Sequence, residues 1–279
     1  MFRRSLLRMV TVVVFSGAAE QVSAATIGYW RFEEGSGSLI ADSSGWDNHG
    51  ALTPAGTAFS PVVPFAMVPV NLLPNNWSLE LNGANGAAIV PDSPSLRPTS
   101  GFTAEAMIDG GGWVVLGKQI GNGTRNSYQI ELQSGRLRFQ LTDTGIMDHF
   151  VTAPAPSGPG PYNGFHHIAG SWDGSTMRLY INGVLVGSAP FAGMLGYDAN
   201  PFLIGADNDR ALGGGPACCW FGGRLDEIRL SDQALVPGQF IIDPNPVPEP
   251  SAWTLCAGGI AALALAWCRN RRLRSTTLS

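Results

Sequence analysis

Residues 25–245 consist of short runs in which apolar and polar side chains alternate, with almost no stretch of helical period. Alternation with a period of two is typical of strands that bury one face. The runs that fit strands are residues 26–32, 78–81, 87–90, 102–108, 113–118, 128–132, 137–141, 165–172, 177–181, 202–204 and 224–230. Gly, Asn, Asp and Ser separate these runs, which favours an antiparallel sandwich over a parallel α/β sheet.

Two dipeptides, Ser134-Gly135 and Asn182-Gly183, lie between alternating runs. Both pairs tolerate the positive φ angles of a two-residue hairpin, so we expect a tight turn at each. About 220 residues are enough for one two-sheet core. The pattern therefore predicts a single all-β domain over residues 25–246.

Residues 53–76 interrupt this rhythm with five prolines among apolar side chains. Because proline lacks the amide that a sheet ladder needs, we do not expect a central strand here. The segment is either an edge ribbon or a long surface connection. Such connections can be functional, but a connection that wraps one sheet is the simpler interpretation.

Residues 1–24 are typical of a cleavable export signal. The positive start has Arg3, Arg4 and Arg8, the apolar stretch is residues 10–15, and residues 22–24 are small enough for a signal peptidase. Cleavage is expected after Ala24 or Ala25. A buried N-terminal helix is the alternative, and the Arg3-Arg4 pair leaves both the Sec and the twin-arginine routes open.

Residues 247–274 form a further segment outside the domain. The apolar stretch 251–268 is followed by a basic end, residues 269–274, which carries Arg269, Arg271, Arg272 and Arg274. A helix over residues 253–267 would be about 22 Å long, against roughly 30 Å for the bilayer core, with a tryptophan at each interface. The arginines would stay in the cytoplasm, which places the domain outside.

The motif Pro248-Glu249-Pro250, the apolar stretch and the arginines follow one another in an order that resembles the PEP-CTERM sorting tail. The resemblance implies an exosortase-type membrane enzyme as a partner and cleavage near the motif. It also implies a Gram-negative-type bacterium that makes an exopolysaccharide or biofilm matrix. We therefore expect the protein in the cell envelope or outside the cell, held in the membrane at least transiently by its tail.

Residues 25–246 carry 10 basic and 19 acidic side chains, a net charge of −9. Nucleic acid is therefore not an expected partner, because such a domain cannot bind a phosphate backbone through counterion release. The acidity suits solubility and divalent cations. The domain's two cysteines, Cys218 and Cys219, are adjacent, and since a bridge between neighbours is strained we expect no disulfide framework.

Four blocks of the domain resemble LamG-like jelly rolls and occur in the same order. They are residues 28–37 with 41–45, residues 90–96 with 102–106, residues 165–174 with 179–183, and residues 224–230. The third block, FHHIAGSWDG continuing to LYING, is the most specific. The resemblance covers nearly the whole domain and implies a concanavalin A-like sandwich, a fold shared by lectins, adhesion modules and glycanases.

Catalysis has little support in the sequence. Retaining glycosidases hold two carboxylates about 5–5.5 Å apart, and the resemblance would imply a Glu-x-Asp-x-x-Glu strand, which the sequence lacks. Neighbouring strand residues point to opposite faces, so the pairs Glu33-Glu34 and Asp226-Glu227 are not expected to cooperate. Nucleophile elbows, phosphate loops and zinc spacings are also missing from the sequence. We therefore expect a non-enzymatic protein.

The four histidines favour structural roles. His166 and His167 are neighbours in a predicted strand, so they face opposite sides and cannot line one site. His49 and His149 lie apart, beside turn residues.

The LamG-like resemblance also implies a structural Ca²⁺ that joins an early turn to the last strand. Asp42 and Asn48 would supply the turn and Asp226 the strand, with Glu33 as a weaker candidate. Oxygen ligands from loops suit Ca²⁺. The alternative is that Asp42 and Asn48 bond to their own backbone as turn caps.

A sugar site needs an exposed aromatic surface beside polar groups. The candidate ligand-binding residues are Trp46, Trp113, Trp220, Asp207 and Asp209, all in loops rich in glycine or polar residues. Partial burial of Trp46 is the alternative. Trp30 and Trp172 alternate within predicted strands, so we expect them in the core.

These features together predict an all-β jelly roll of two antiparallel sheets that binds carbohydrate or protein in the envelope or matrix. A glycan-processing enzyme and a purely structural matrix component are the alternatives. The enzyme would need a cooperating pair of carboxylates on the concave sheet, and only a binding assay separates the structural component.

Overall fold

The computed structural model describes residues 24–121, 123, 125–208 and 218–243. Over these residues the chain forms two antiparallel sheets of eight strands each. Two short 3-10 helices, Pro94–Leu96 and Pro237–Gln239, lie in connections. The all-β, two-sheet prediction is confirmed.

Sheet A contains the first strand and the last one. Its strands are β1 (Thr26–Trp30), β4 (Thr57–Ser60), β5 (Ser78–Asn82), β7 (Phe102–Gly112), β12 (His166–Trp172), β13 (Thr176–Ile181), β14 (Val184–Pro190) and β16 (Phe221–Ser231). They are ordered β14-β13-β12-β7-β16-β5-β4, and β1 also pairs with β16.

Sheet B is built mainly from the middle of the chain. Its strands are β2 (Leu39–Ile40), β3 (Gly50–Leu52), β6 (Ala88–Val90), β8 (Val114–Gln119), β9 (Asn126–Gln133), β10 (Arg136–Thr142), β11 (Asp148–Pro154) and β15 (Phe202–Ile204). They are ordered β11-β10-β9-β8-β15-β6-β3-β2.

Every strand predicted from alternation is present, with ends shifted by a few residues. The strands that the pattern missed are β2, β3, β4, β11 and β14. The first two are only two and three residues long, and β14 exposes three consecutive apolar residues from Val184. β2 and β3 are too short to show a clear alternation, and β14 shows none because it lies at a sheet edge.

Both predicted hairpin turns are confirmed. Ser134 and Gly135 join β9 to β10 with φ of 51° and 74°, and Asn182 and Gly183 join β13 to β14 with φ of 51° and 78°. Positive φ at both central residues matches the twist of the flanking strands, which is why Asn and Gly suit these places.

The core lies between the two sheets and is rich in aromatic rings. Trp30 of β1 stacks on Phe202 of β15 with ring centroids 5.1 Å apart. Trp172 of β12 is 1 % exposed and meets Phe102 edge to face at 6.4 Å. The prediction that Trp30 and Trp172 are core residues is therefore confirmed, and ring pairs of this geometry add to the stability given by burial.

The outer face of sheet A is covered by two segments of the same chain. One is the proline-rich connection, whose Val62, Phe65 and Val70 pack over Met107 and Phe165. The other follows β16 and packs Leu235 and Phe240 over Ala169 and Tyr180. The wrapping interpretation of the proline-rich segment is confirmed, and its one strand, β4, lies at the edge of sheet A, where proline is tolerated.

The predicted export signal, residues 1–24, and the predicted sorting tail, residues 247–274, lie outside the described residues, apart from residue 24. Across the described part of the chain there is no apolar helix of membrane-spanning length.

Candidate functional site

The outer face of sheet B carries a row of polar side chains on three neighbouring strands. In β9 the apolar residues Tyr128, Ile130 and Leu132 point into the core, so Gln129 and Glu131 between them point outward. Pairing places Arg138 of β10 opposite Glu131, and Gln140 opposite Gln129. The period of the strand therefore gathers amide and charged groups in one place.

A groove of about 260 Å³ runs over this row. The lining residues come from the start of β8, from β9, β10 and β11, and from the loops at the end of β15: Trp113, Arg125, Gln129, Glu131, Gln133, Arg138, Gln140, Asp148, Phe150, Asp207 and Cys219. Small-molecule sites usually measure about 300–1,000 Å³, so the groove encloses only a short part of a longer ligand.

Aromatic rings stand at both sides of the groove. Trp113, just before β8, is 47 % exposed, and Phe150 of β11 is 42 % exposed. Because β9 and β10 lie between β8 and β11 at about 4.8 Å per strand, the strands next to the two rings are about 14 Å apart across the sheet. The Arg138 guanidinium lies over the Phe150 ring, 4.7 Å from its centroid. Flat apolar surfaces thus flank a polar floor.

Two ion pairs form part of the floor and wall. Arg138 pairs with Glu131, and Arg125 Nε lies 3.6 Å from Asp148 Oδ2. The Nε of Arg138 is buried and has no hydrogen-bond partner. A buried donor without a partner costs free energy, so the unpaired Nε lowers the stability of the groove floor.

Asp207 is the most connected carboxylate of the groove. Its Oδ2 accepts hydrogen bonds from Asn126 Nδ2 at 3.1 Å and Gln129 Nε2 at 3.2 Å. Burial raises the pKa of Asp207 in spite of these bonds. Burial also raises the pKa of Glu131, with a further contribution from the Asp207 charge and an opposing one from Arg138. The groove therefore contains two interacting carboxyl groups that are harder to ionise than usual.

Of the predicted ligand-binding residues, the structure brings two into the groove and a third next to it through its backbone. Trp113 and Asp207 line the groove, and the Trp220 carbonyl accepts a hydrogen bond from the Trp113 amide at 3.2 Å. Trp46 is 53 % exposed but lies between β2 and β3, at the far edge of sheet B. Asp209 lies outside the described residues.

Sequence reasoning missed the polar floor itself. Its members are Gln129, Glu131, Gln133, Arg138 and Gln140, together with Phe150. The alternation in β9 and β10 already separated these residues from the core, so an outward polar row was visible in the pattern. What the pattern could not show was that these residues share a groove with the loop residues Trp113, Asp207 and Cys219.

The residues implied for Ca²⁺ form two separate groups. The Asp42 carboxylate accepts hydrogen bonds from the backbone amides of Tyr29, Ser44 and Asn48 and from the Ser44 hydroxyl, at 2.7–2.9 Å. Asn48 donates to the Ile27 carbonyl at 2.7 Å. These contacts match the turn-capping alternative, since a carboxylate that already accepts four hydrogen bonds has little capacity left for a cation.

Glu33 and Asp226 have other partners. Glu33 accepts from the amides of Asn76 and Trp77, and Asp226 accepts from Asn75 Nδ2 at 2.9 Å. No partner is shared with Asp42, and among the residues the structure describes no group of three or more His, Cys, Asp or Glu is arranged to hold a metal ion. As arranged, the four residues do not fit one common Ca²⁺ site.

The expectation that Asp226 and Glu227 point to opposite faces is wrong. Glu227 has a φ of 49°, and the pairing of β16 with β7 shifts between Asp226 and Arg229. This bulge places Leu225 and Ile228 in the core and both carboxylates outside it. The alternation rule fails here because the bulge inserts one extra residue.

The histidines in the described region agree with structural roles. His167 is fully buried, and its Nε2 lies 2.9 Å from Glu105 Oε2, while Arg229 pairs with the other oxygen, Oε1. His149 Nε2 lies 3.0 Å from Asp143 Oδ2 and its ring packs on Phe191 at 4.4 Å. A second cavity of about 300 Å³ opens beside this last pair.

The two cysteines of the domain are bonded to each other. Cys218 and Cys219 form a disulfide between neighbouring residues. The sequence predicts no disulfide framework and leaves the redox state of this adjacent pair open; the structure joins the two neighbours. Cys219 has a φ of 62°, a left-handed conformation that residues with a side chain rarely adopt.

Comparison with known proteins gives a family and a fold. The family described as the concanavalin A-like lectin/glucanases superfamily matches residues 82–239, more than half of the chain. No curated protein sequence matches the chain significantly.

Several solved structures share the fold. Domain 4 of the extracellular arabinanase AbnA from Geobacillus stearothermophilus, in complex with arabinotriose, has a TM-score of 0.54 and 19 % identity over 77 % of this chain and 96 % of that one. The binding domain of Paraclostridial Mosquitocidal Protein 1 has a TM-score of 0.56 and 17 % identity over 77 % and 50 %. The binding domain of Botulinum Neurotoxin DC, in complex with SialylT, has a TM-score of 0.53 and 12 % identity over 76 % and 49 %.

The chain spans about half the length of the two toxin binding domains and nearly all of the arabinanase domain. At these identities the likeness establishes the fold, with two packed antiparallel sheets as described above. The sequence match and the fold agree: this chain belongs to the concanavalin A-like lectin/glucanase superfamily.

Proposed function

We propose that the protein is an exported, non-enzymatic component of the cell envelope or extracellular matrix, and that the groove on sheet B binds carbohydrate. The observation that carries the proposal is the half-exposed Trp113 ring beside buried amide and charged side chains in the groove on the outer face of sheet B. A sugar ring has an apolar face and a rim of hydroxyls, so it pairs with an aromatic surface and with hydrogen-bonding groups at once.

The charges of the groove favour a neutral glycan. Both arginines that line it are already paired with carboxylates, Arg138 with Glu131 and Arg125 with Asp148. An anionic ligand would have to compete with these pairs and would also meet Asp207. A neutral sugar needs no free cation, and the Gln129, Gln133 and Gln140 amides offer both donors and acceptors.

The likeness to binding domains supports a binding role. One similar structure is a domain in complex with arabinotriose, and another concerns a toxin whose cell entry depends on two ganglioside molecules. Those ligands belong to those proteins. For this chain they suggest the class of probe, neutral oligosaccharides first and sialylated ones as a comparison.

The test is binding of the full chain to immobilised neutral oligosaccharides, arabinotriose among them, and to a sialylated set, with two matched variants. We expect W113A to weaken binding about tenfold or more, as loss of a central aromatic contact does. W46A removes an equally exposed tryptophan outside the groove and should leave binding unchanged. Binding that W46A abolishes and W113A preserves would move the site away from sheet B.

Export and anchoring are part of the same proposal. The described sandwich occupies residues 24–243, which leaves the signal-like start and the PEP-CTERM-like end, residues 247–274, outside it. The proposal assigns an exosortase-type enzyme as the partner of that tail, with the domain outside the cell and the basic end, Arg269 to Arg274, in the cytoplasm. Localisation of the intact chain and of a variant without residues 247–274 tests this part.

A glycan-processing enzyme is the second candidate, and one observation favours it. Glu131 and Asp207 line the same groove, are buried and interact electrostatically, with a raised pKa for both. A glycosidase uses two carboxyl groups, a protonated one as acid and an ionised one as base or nucleophile, and a shared proton between Glu131 and Asp207 would provide both. Release of reducing ends from a bound oligosaccharide, lost in both E131Q and D207N, would establish this alternative.

If a folded chain binds no glycan of either set, the binding proposal fails. A protein-binding or purely structural matrix role would then be the better account of the sandwich.

A further inference from the structure

The Cys218–Cys219 disulfide lies at the side of the groove, between the two parts of the chain that form its wall. Cys219 lines the groove together with Trp113 and Asp207. All three face the polar floor of β9 and β10. A disulfide is apolar, so the pair adds to the apolar surface that Trp113 begins.

Backbone hydrogen bonds attach the disulfide to both neighbours. The Asp207 amide donates to the Cys218 carbonyl at 3.1 Å, and the Cys218 amide donates to the Asp207 carbonyl at 3.3 Å. On the other side, the Val114 amide donates to the Cys219 carbonyl at 3.0 Å. The position of the two cysteines thus determines how the Asp207 and Trp113 segments lie relative to each other.

The backbone at Cys219 is held in a conformation that it would rarely adopt by itself. Its φ of 62° lies in the left-handed region, which is costly for a residue with a Cβ and persists only where the surroundings impose it. A covalent bond between neighbouring side chains is such a constraint, because it restricts the backbone angles of both residues. Breaking the bond removes this constraint beside the groove wall.

We propose that the Cys218–Cys219 disulfide forms the groove wall beside Trp113 and that its reduction to two thiols lowers the affinity of the groove for glycan. The reduction is an ordinary exchange with a small dithiol: the S–S bond breaks, the two cysteines gain two electrons and two protons, and the dithiol closes to its own disulfide. The oxidised form suits an exported protein, since disulfides persist outside the cytoplasm. The part concerning glycan rests on the function proposed above.

The experiment uses the full chain with the C256S/C268S substitutions, so that Cys218 and Cys219 are the remaining cysteines. Arabinotriose and the neutral oligosaccharide set are the probes, measured before and after treatment with a small dithiol. Hydrogen exchange is followed at the amides of Val114, Asp207 and Cys218, with the amides of β10 as the internal control. The same measurements on C218S/C219S in that background test whether the response belongs to this disulfide.

Reduction should leave the exchange of the β10 amides unchanged, speed exchange at the three wall amides, and weaken oligosaccharide binding about tenfold, the loss expected for a contact worth more than 1 kcal/mol. C218S/C219S should show the same exchange rates and binding as the reduced protein, and dithiol treatment should not change either. Unchanged exchange at the wall amides after complete reduction would overturn the proposal, even if glycan still binds.

The two proposals fail in different ways. If the oxidised protein binds no glycan but dithiol speeds hydrogen exchange at the wall amides, the binding function is contradicted. The disulfide would then still be the constraint on the groove wall. Oxidised protein that binds glycan equally well after reduction contradicts the disulfide proposal and leaves the binding function. If C218S/C219S does not fold, the measurements before and after reduction of the C256S/C268S protein are sufficient to test the disulfide proposal.

Discussion

The Tyr29 hydroxyl donates a hydrogen bond to the Glu227 carboxylate, which joins β1 to β16 beneath the proline-rich connection. Arg31 Nε lies 3.3 Å from the other oxygen of Glu227. Burial raises the pKa of Glu227 to about 7 in spite of both partners, and it raises that of Asp226 well above its usual value, with a further contribution from Glu227. The bulge of β16 thus buries two carboxyl groups side by side.

The stability of the sandwich should therefore fall as the pH rises from about 4.5 to about 7. A carboxyl whose pKa is higher in the folded state binds more protons folded than unfolded in that window, so raising the pH favours unfolding. For Glu227 the loss is on the order of 3 kcal/mol, at 1.36 kcal/mol per pKa unit. Urea unfolding at several pH values measures it.

Two variants isolate this contribution. E227Q stays neutral, so its unfolding free energy should depend less on pH between 5 and 8 than that of the natural chain. D47N changes an exposed carboxylate, with 91 % of its side chain accessible, and should keep the natural pH dependence. Parallel curves for E227Q and the natural chain would show that Glu227 ionises as easily folded as unfolded.

Gly170 should not tolerate a methyl group. A Cβ at this place in β12 would lie 2.5 Å from the Phe139 ring, which sits in the core opposite it. G170A should lower the unfolding free energy by about 1–3 kcal/mol, the usual cost of overpacking. G111A in β7 is the matched control, because nothing lies within 4 Å of its added Cβ. Equal chemical-denaturation midpoints for the two variants would contradict the tight contact.

Asp42 should stabilise the turn before β3 by itself. D42N exchanges one acceptor oxygen for an NH₂ group that faces donors. We expect the unfolding free energy to fall by about 2–4 kcal/mol, because bonds to a charged acceptor are strong and the donors would be left unpaired.

The natural chain should melt at the same temperature with and without excess chelator. A fall of several degrees in chelator would instead support the structural Ca²⁺ that the LamG-like resemblance implies.

Export should produce a chain that begins at Ala25. The Ala25 nitrogen lies 2.8 Å from Asp232 Oδ1, and the Asp232 amide donates to the Ala25 carbonyl at 3.0 Å. Cleavage after Ala24 would turn this nitrogen into an ammonium group next to a carboxylate. Mass spectrometry of the exported protein identifies the first residue, and a mature chain that begins elsewhere would rule out this ion pair.

Much of the fold could be read from alternation. The pattern located the strands that line the core and the hairpins at Ser134-Gly135 and Asn182-Gly183, because burial of one sheet face imposes a period of two. It failed at the bulge of Glu227, where one extra residue breaks that period, and at the edge strand β14, which has no buried face to mark it. Local rules fail where the chain departs from regular pairing.

The candidate site was only partly visible. The loop residues Trp113 and Asp207 are both predicted ligand-binding residues, and both line the groove, Trp113 half exposed and Asp207 buried. Trp46 was chosen on the same grounds and lies elsewhere. An aromatic residue in a glycine-rich loop has the same local signal in either place, because its neighbours in space come from strands far away in sequence.

The sequence by itself determined the class of fold, the positions of most strands and the net negative charge of the domain. These properties follow from composition and from the spacing of residues along the chain. Only the tertiary structure decided that the proline-rich connection and the residues after β16 cover sheet A, and that the polar residues of β9 and β10 line a groove with Trp113. That choice depends on packing between segments 100 residues or more apart, such as Val62 and Phe65 over Phe165, and no local pattern records it.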